Sequence, residues 1–173
     1  MSKEIIKQNG ELSTLLEDFK VDNFSAVKKL NDYLNREPKK EWVQVNKFSD
    51  NAKYLPIRIV ENLLRSFFGV YQVEIVGQPL IIGNSVVVSV HLKVYHPILK
   101  EWLTYAGVGA VPIELEKGAS PLQFEQIKAK ALHKNIPAAK SFAVSNAAKS
   151  IGRIFGSDLN NDEISTVYNV YQV

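Results

Sequence analysis

Residues 85–96 alternate between two classes of side chain, and this alternation constrains the fold more than any other feature of the sequence. One set is entirely aliphatic: Val86, Val88, Val90, Leu92 and Val94. The intervening set is mixed: Val87, Ser89, His91, Lys93 and Tyr95. A period of two is the side-chain period of a β-strand. The stretch therefore predicts a strand with one buried face and one partly solvated face.

Two flanking stretches, residues 70–82 and 101–113, are the other strand candidates. The turn signal Gly83-Asn84 joins the first of them to the alternating strand, and Pro97 ends that strand. Because the connections are short, the three strands are expected to form an antiparallel meander.

Helical patterns lie before the sheet. Residues 11–35 carry two short helical patterns, and residues 42–45 are a candidate short strand. A clear amphipathic helix is expected to begin at Pro56, which suits a first helical turn, and to stop at Gly69.

A second helical region follows the sheet. We expect Pro137 to divide it into helices at about 121–134 and 137–155. Five side chains of the second helix are expected to cover the sheet: Phe142, Ala147, Ile151, Ile154 and Phe155. Glycine inside a strand indicates a bend or the close approach of another backbone, which is the expectation for Gly107 and Gly109.

These elements predict an α+β fold: an antiparallel three-to-four-stranded sheet in a β-β-β-α core, with a long helix packed on one face and helices at the N-terminus. The expected organisation is an N-terminal helical segment at 1–40, a core domain at 41–160 and a C-terminal tail at 161–173, in which 167–173 has a weak strand pattern.

The composition excludes several kinds of chemistry. Hydrophobic residues make up 46% of the 173 residues, which is sufficient for a sizeable core. The absence of cysteine excludes disulfides, thiolate metal sites and cysteine nucleophiles. The three histidines lack metal-ligand spacing, and neither a phosphate-binding loop nor a nucleophile elbow is present, so we expect no metal, no cofactor and no enzymatic activity. No stretch has the length of a signal peptide or membrane span, which favours a cytoplasmic protein.

Positive charge is concentrated in one part of the chain. Residues 121–156 hold six lysines and arginines against a single glutamate, whereas the whole chain has a net charge of only +3. Polar residues recur every four positions along the predicted final helix, and the last two of them are basic: Ser141, Ser145, Lys149 and Arg153. Such a stripe suits a phosphate backbone, and a solvated helix face is the alternative.

Three segments together resemble the annealing core of the Rad-fifty-two family and its phage relatives, the Sak-type single-strand annealing proteins. The first begins with Tyr54 and Arg58 at the start of a helix that ends in the sequence FFGVY. The second is EWLTYAGVG at 101–109, which is similar to the family strand that leads into a G-x-G step. The third is AVSNAAKSIGRIFG at 143–156, which resembles the family's basic helix that closes on F-G. The resemblance covers residues 54–160.

The resemblance implies a homo-oligomer, commonly a ring, with single-stranded DNA held by its backbone in a basic groove. It also implies ATP-independent annealing of complementary strands in recombination and repair, of the phage type. A partner exonuclease or a host single-strand binding protein would be a further partner, and no membrane is involved.

The same resemblance assigns DNA-contacting positions. Arg58 matches the arginine at the helix start, and Lys149 and Arg153 match two basic groove residues of the long helix. Either Lys128 or Lys130 matches a further basic position. Ser150 departs from the family pattern, in which two basic residues are often adjacent.

The residues leave some assignments open. Lys93 and Tyr95 are candidates either for the groove or for a core or subunit contact. An apolar hairpin of the predicted meander and residues 11–35 are candidate subunit contacts. Two other functions remain as alternatives: a single-stranded DNA protecting protein without annealing activity, and a structural or assembly protein.

Overall fold

Three α-helices and six strands lie in the parts of the chain that the computed structural model describes, residues 24–47, 51–115 and 131–161. The helices are α1 (Phe24–Leu34), α2 (Ile57–Phe68) and α3 (Ala131–Lys149). The strands are β1 (Gln44–Asn46), β2 (Ala52–Tyr54), β3 (Tyr71–Ile75), β4 (Leu80–Ile82), β5 (Ser85–His96) and β6 (Glu101–Pro112). Short 3₁₀ helices occupy Lys40–Trp42 and Arg153–Phe155.

Strand β5 is the centre of an antiparallel four-stranded sheet. It pairs with β6 along its whole length, from Ser85 opposite Pro112 to His96 opposite Glu101. On its other side it pairs first with β4 and then with β3. The predicted meander is thus confirmed, although the first predicted strand is divided in two around Gly77, which has a φ of 71°. Strands β1 and β2 form a separate antiparallel pair. The strand predicted at 42–45 overlaps β1 at residues 44 and 45, whereas Trp42 ends a 3₁₀ helix.

The predicted alternation in β5 is confirmed. The aliphatic set from Val86 to Val94 is buried, and the intervening side chains are partly exposed. The buried set forms the floor of the core, and α2 and α3 pack on this face of the sheet.

Helix α2 has the predicted boundaries. It follows Pro56, and its C-cap is Gly69, whose φ of 69° suits glycine and whose N–H donates to the Arg65 carbonyl at 2.9 Å. Its buried stripe faces the sheet and consists of Val60, Leu63, Leu64 and Phe68.

The predicted division of the helical region at Pro137 is wrong, because α3 includes this residue. The helix runs without interruption through this residue and ends at Lys149 rather than near 155. A proline in a helix interior costs about 3 kcal/mol. Burial of one whole side of the helix against the sheet and α2 outweighs this cost.

A second correction concerns the side chains that cover the sheet. Phe142 is half exposed, and the smaller Ala139 and Ala143 are buried instead. Of the other predicted residues, Ala147 is buried on α3, and Ile154 and Phe155 are buried beyond its end.

The small residues of α3 can pack there because Gly107 and Gly109 let the helix backbone lie directly against β6. A Cβ atom at Gly107 would overlap the Ala143 carbonyl. The expected close approach of another backbone is therefore confirmed.

Some predictions fall outside the described residues: the helical pattern that begins at Leu12, residues 121–130 of the helix that follows the sheet, and the strand pattern at 167–173. None of the helices that the structure describes is long and apolar enough to cross a lipid bilayer.

Candidate nucleic-acid interface

A cleft of about 710 Å³ opens between α2 and α3 on the helical side of the sheet. Helix α2 contributes Ile57, Glu61 and Arg65, which are spaced one turn apart. The remaining lining comes from the start of β3 and from α3: Gly69, Val70, Tyr71, Val73, Pro137, Lys140, Ser141 and Val144. Two cations on facing helices, Arg65 and Lys140, therefore line one cleft.

Arg65 is held in place by its neighbours. Its guanidinium lies 3.8 Å from the Glu61 carboxylate, donates to the Tyr71 hydroxyl at 3.3 Å and lies 5.7 Å from the centre of the Tyr71 ring. Burial raises the pKa of Tyr71, the nearby Glu61 carboxylate raises it further, and Arg65 opposes both effects. The Tyr71 hydroxyl therefore stays protonated at neutral pH, and its aromatic ring lies beside a cation.

Arg58 lies next to the cleft in the first turn of α2, immediately after Ile57. It is exposed and forms no hydrogen bond or ion pair with any residue that the structure describes. Arg58 and Arg65 are two turns apart, so both lie on the same side of α2, about 10 Å apart along its axis.

Lys149 is the last residue of α3 and does not line the cleft. It is exposed, and its ammonium donates to the Asn146 side chain at 3.3 Å. Lys140 is nine residues earlier, which is half a turn out of phase at about 100° per residue. Ser141, Ser145 and Lys149 do follow one exposed or partly exposed side of α3, as predicted.

Arg153 lies beyond the end of α3, which corrects the prediction that the stripe continues on one helix. Its side chain is only 22% exposed and pairs with two carboxylates, Asp158 at 2.5 Å and Glu37 at 3.2 Å. Glu37 follows α1, so Arg153 joins the N-terminal helical segment to the end of the core. The three side chains border a second cleft, of about 540 Å³.

These ion pairs predict a structural effect for Arg153→Ala. The substitution leaves two carboxylates without their shared cation, and hydrogen bonds to charged groups contribute roughly 1.5–3 kcal/mol each. We expect the free energy of unfolding to fall by about 2 kcal/mol in urea denaturation. Arg153→Lys should recover part of the loss, and an unchanged midpoint in Arg153→Ala would contradict the structural assignment.

Lys93 and Tyr95 lie on the opposite face of the sheet from α2 and α3. The Lys93 ammonium forms an ion pair with Glu74 of β3 at 2.7 Å, and the hydrogen bond from Lys93 holds the pKa of Glu74 below its usual value. The Tyr95 ring meets the Trp102 ring edge-on at 5.5 Å. The sheet thus separates Lys93 and Tyr95 from the cleft.

The remaining predicted positions, Lys128 and Lys130, lie outside the described residues. Within the described ranges, no group of three His, Cys, Asp or Glu side chains is arranged to hold a metal ion.

Arg65 and Lys140 were not among the site residues predicted from the sequence. The sequence did contain a signal for Arg65. It follows Arg58 by seven residues, or two turns, on a helix that was correctly predicted, so the two arginines were expected to share one side of that helix. Lys140 was counted in the basic segment, but its position opposite α2 depends on how the two helices pack.

Comparison with protein-family models gives no match to this chain, and no curated protein matches it either.

Proposed function

We propose that this chain binds single-stranded DNA without sequence preference and anneals complementary strands as a homo-oligomer, with no need for ATP. The observation that carries the proposal is the cleft in which Arg65 and Lys140 face each other from α2 and α3. The cleft lies beside an antiparallel meander followed by the long helix α3, and with β3 and β4 counted as one divided strand this is the β-β-β-α order of the annealing proteins that the sequence resembles.

The cleft suits a DNA backbone on physical grounds. Arg65 is held by Glu61 and Tyr71 with its guanidinium exposed, and guanidinium groups bind phosphate through two parallel hydrogen bonds. Lys140 supplies a second charge across the cleft, and Arg58 extends the row along α2. Cations that neutralise phosphates release counterions, which gives affinity that is independent of sequence and falls with salt.

Annealing then follows without an energy source. A strand held by its phosphates leaves its bases free to pair, and pairing itself releases free energy. An oligomer presents many copies of one cleft, so a long strand binds multivalently.

The other residues implied by the resemblance take different parts in this proposal. Lys149 is exposed and available for a strand that leaves the cleft. A phosphate at Arg153 competes with Glu37 and Asp158, so we assign Arg153 mainly to holding the fold together. Lys93 and Tyr95 are on the far side of the sheet and are better suited to a subunit or second-strand contact.

The cellular setting in this proposal comes from the resemblance alone. It is phage-type recombination and repair in the cytoplasm of a bacterial host. A partner exonuclease would generate the single strands, and a host single-strand binding protein would compete for or deliver them.

The deciding experiment follows the pairing of two complementary fluorescent oligonucleotides with purified protein, without ATP or metal. We expect pairing at least tenfold faster than the uncatalysed rate, with the acceleration suppressed by salt because the contacts are to phosphates. Two non-complementary strands serve as the control for aggregation.

The outcomes of this assay separate the alternatives. Bound strands that pair no faster than free strands would indicate a protecting protein instead. Folded oligomers that bind no DNA at any salt concentration would favour a structural or assembly protein.

A further inference from the structure

The second cleft, of about 540 Å³, lies where three separate segments of the chain meet. The segment after α1 contributes Pro38 and Lys40, the β1–β2 pair contributes Val45 and Lys53, and the segment after α3 contributes Leu159. Val45 lies opposite Lys53 in the strand pair and is half exposed within the cleft. The cleft has the size of a ligand site, for which about 300–1,000 Å³ is usual, and part of its lining is aliphatic.

Two lysines of this cleft have no acidic partner. Lys40 and Lys53 are exposed, and neither forms an ion pair with an acid in the described ranges. Arg153 differs from them, because it is already paired with Glu37 and Asp158. The cleft therefore combines aliphatic surface with two available ammonium groups. This combination suits an extended peptide that carries both carboxylates and apolar side chains.

The chain itself carries such a segment directly beside the cleft. Asn161, the last residue that the structure describes, is part of the cleft lining. The twelve residues after it, 162–173, begin with Asp162 and Glu163 and contain no lysine or arginine. Their apolar side chains are Ile164, Val167, Tyr168, Val170, Tyr171 and Val173. Extended at about 3.3 Å per residue, this length reaches roughly 40 Å, so a few residues suffice to cross the cleft.

The point at which this segment starts is fixed against β2. The Asn160 side chain accepts a hydrogen bond from the Lys53 backbone N–H at 2.8 Å and donates one to the Lys53 carbonyl at 2.9 Å. These backbone groups lie on the edge of β2 that faces away from β1, since both are engaged by Asn160. The residues after Asn161 therefore start at the cleft, and this tether gives them a high effective concentration there.

We propose that residues 162–173 pack into the second cleft of their own chain. Asp162 and Glu163 pair with Lys40 and Lys53, and the apolar side chains that follow cover Val45. The packed segment straps the residues after α1 to the end of the core. It also shields the ion pairs of Arg153 from water, which strengthens them. The inference goes beyond the proposed function and does not depend on DNA binding.

The test uses the full chain and a single engineered thiol, which is a specific probe because the sequence contains no cysteine. The rate of maleimide labelling of Ile164→Cys is compared with that of Ser150→Cys, a position that is exposed and lines neither cleft. We expect Ile164→Cys to react about tenfold more slowly, because its thiol is accessible only when the segment leaves the cleft.

Charge reversal then tests which surface protects the thiol. In the Ile164→Cys chain, Lys40→Glu with Lys53→Glu repels the two acids, and labelling should approach the Ser150→Cys rate. The further exchange of Asp162→Lys and Glu163→Lys should restore the protection. Lys28→Glu with Lys29→Glu is the matched control, since it makes the same change of charge on α1 outside both clefts and should leave the labelling rate unchanged.

Several results would overturn the inference, with circular dichroism showing each variant to be folded. One is labelling of Ile164→Cys at the Ser150→Cys rate. Another is protection that survives Lys40→Glu with Lys53→Glu, which would place the segment elsewhere. A charge exchange that restores nothing would remove the proposed ion pairs. Protection that disappears on dilution would place the segment in the cleft of another copy rather than in its own.

Discussion

Gly109→Ala is expected to destabilise the fold more than any other single methyl group added to the sheet. A Cβ atom at this position would overlap the Ala139 carbonyl and the Ala143 amide, which are backbone atoms in the middle of α3. A backbone cannot rotate away as a side chain can, so the whole helix must move off the strand. Overpacking of a core costs typically 1–3 kcal/mol, and we expect about 3 kcal/mol here.

The measurement is urea denaturation followed by circular dichroism, with Ala110→Val as the matched control. Ala110 is the next residue on β6, is exposed and points to the other face of the sheet. The added bulk there meets solvent, so its effect should stay within about 0.5 kcal/mol. Equal stability of Gly109→Ala and wild type would show that α3 does not lie against β6 as described.

The sheet was predictable because its signals are local. The alternation in β5 lies within twelve residues, and the turn at Gly83-Asn84 lies directly before it. The glycines of β6 also predicted the close approach of another backbone. The sequence did not indicate that this backbone belongs to α3.

Helix α3 shows where local reasoning fails. Pro137 has a strong intrinsic preference against a helix interior, and Phe142 has a strong preference for the core. The packing of α3 on the sheet and α2 outweighs the first preference, and the contact of its backbone with two glycines of β6 overturns the second. That contact leaves room for alanine and none for a phenylalanine ring, so Phe142 lies at the surface.

The same distinction applies to the basic residues. A count of charges identifies a basic segment but not the acids that neutralise it, and those acids are distant in the chain. Arg153 pairs with Glu37, 116 residues away. Lys93 pairs with Glu74 on the neighbouring strand. Arg58 and Lys140 are among the described cations that form no ion pair with an acid, and only Arg58 was predicted from the sequence as a site residue.

The cleft itself supplies the second large prediction. We expect the double substitution Arg65→Ala and Lys140→Ala to weaken single-stranded DNA binding by between about tenfold and a hundredfold, because it removes the two cations that face each other across the cleft. Each phosphate contact on a single strand contributes roughly 0.7 to the slope of log affinity against log salt, so the slope should fall by about 1.4. Fluorescence anisotropy of a labelled oligonucleotide across a salt series measures both quantities.

The control for this prediction changes the same charge elsewhere. Lys28 and Lys29 are two exposed cations on α1, outside the cleft, and their replacement by alanine also lowers the net charge by two. If DNA is attracted only by the overall field of the protein, both double variants should lose equal affinity and equal slope. A loss confined to Arg65→Ala with Lys140→Ala would identify discrete phosphate contacts between α2 and α3. Equal losses in the two pairs would remove the cleft from the mechanism, because its geometry would then contribute nothing beyond its charge.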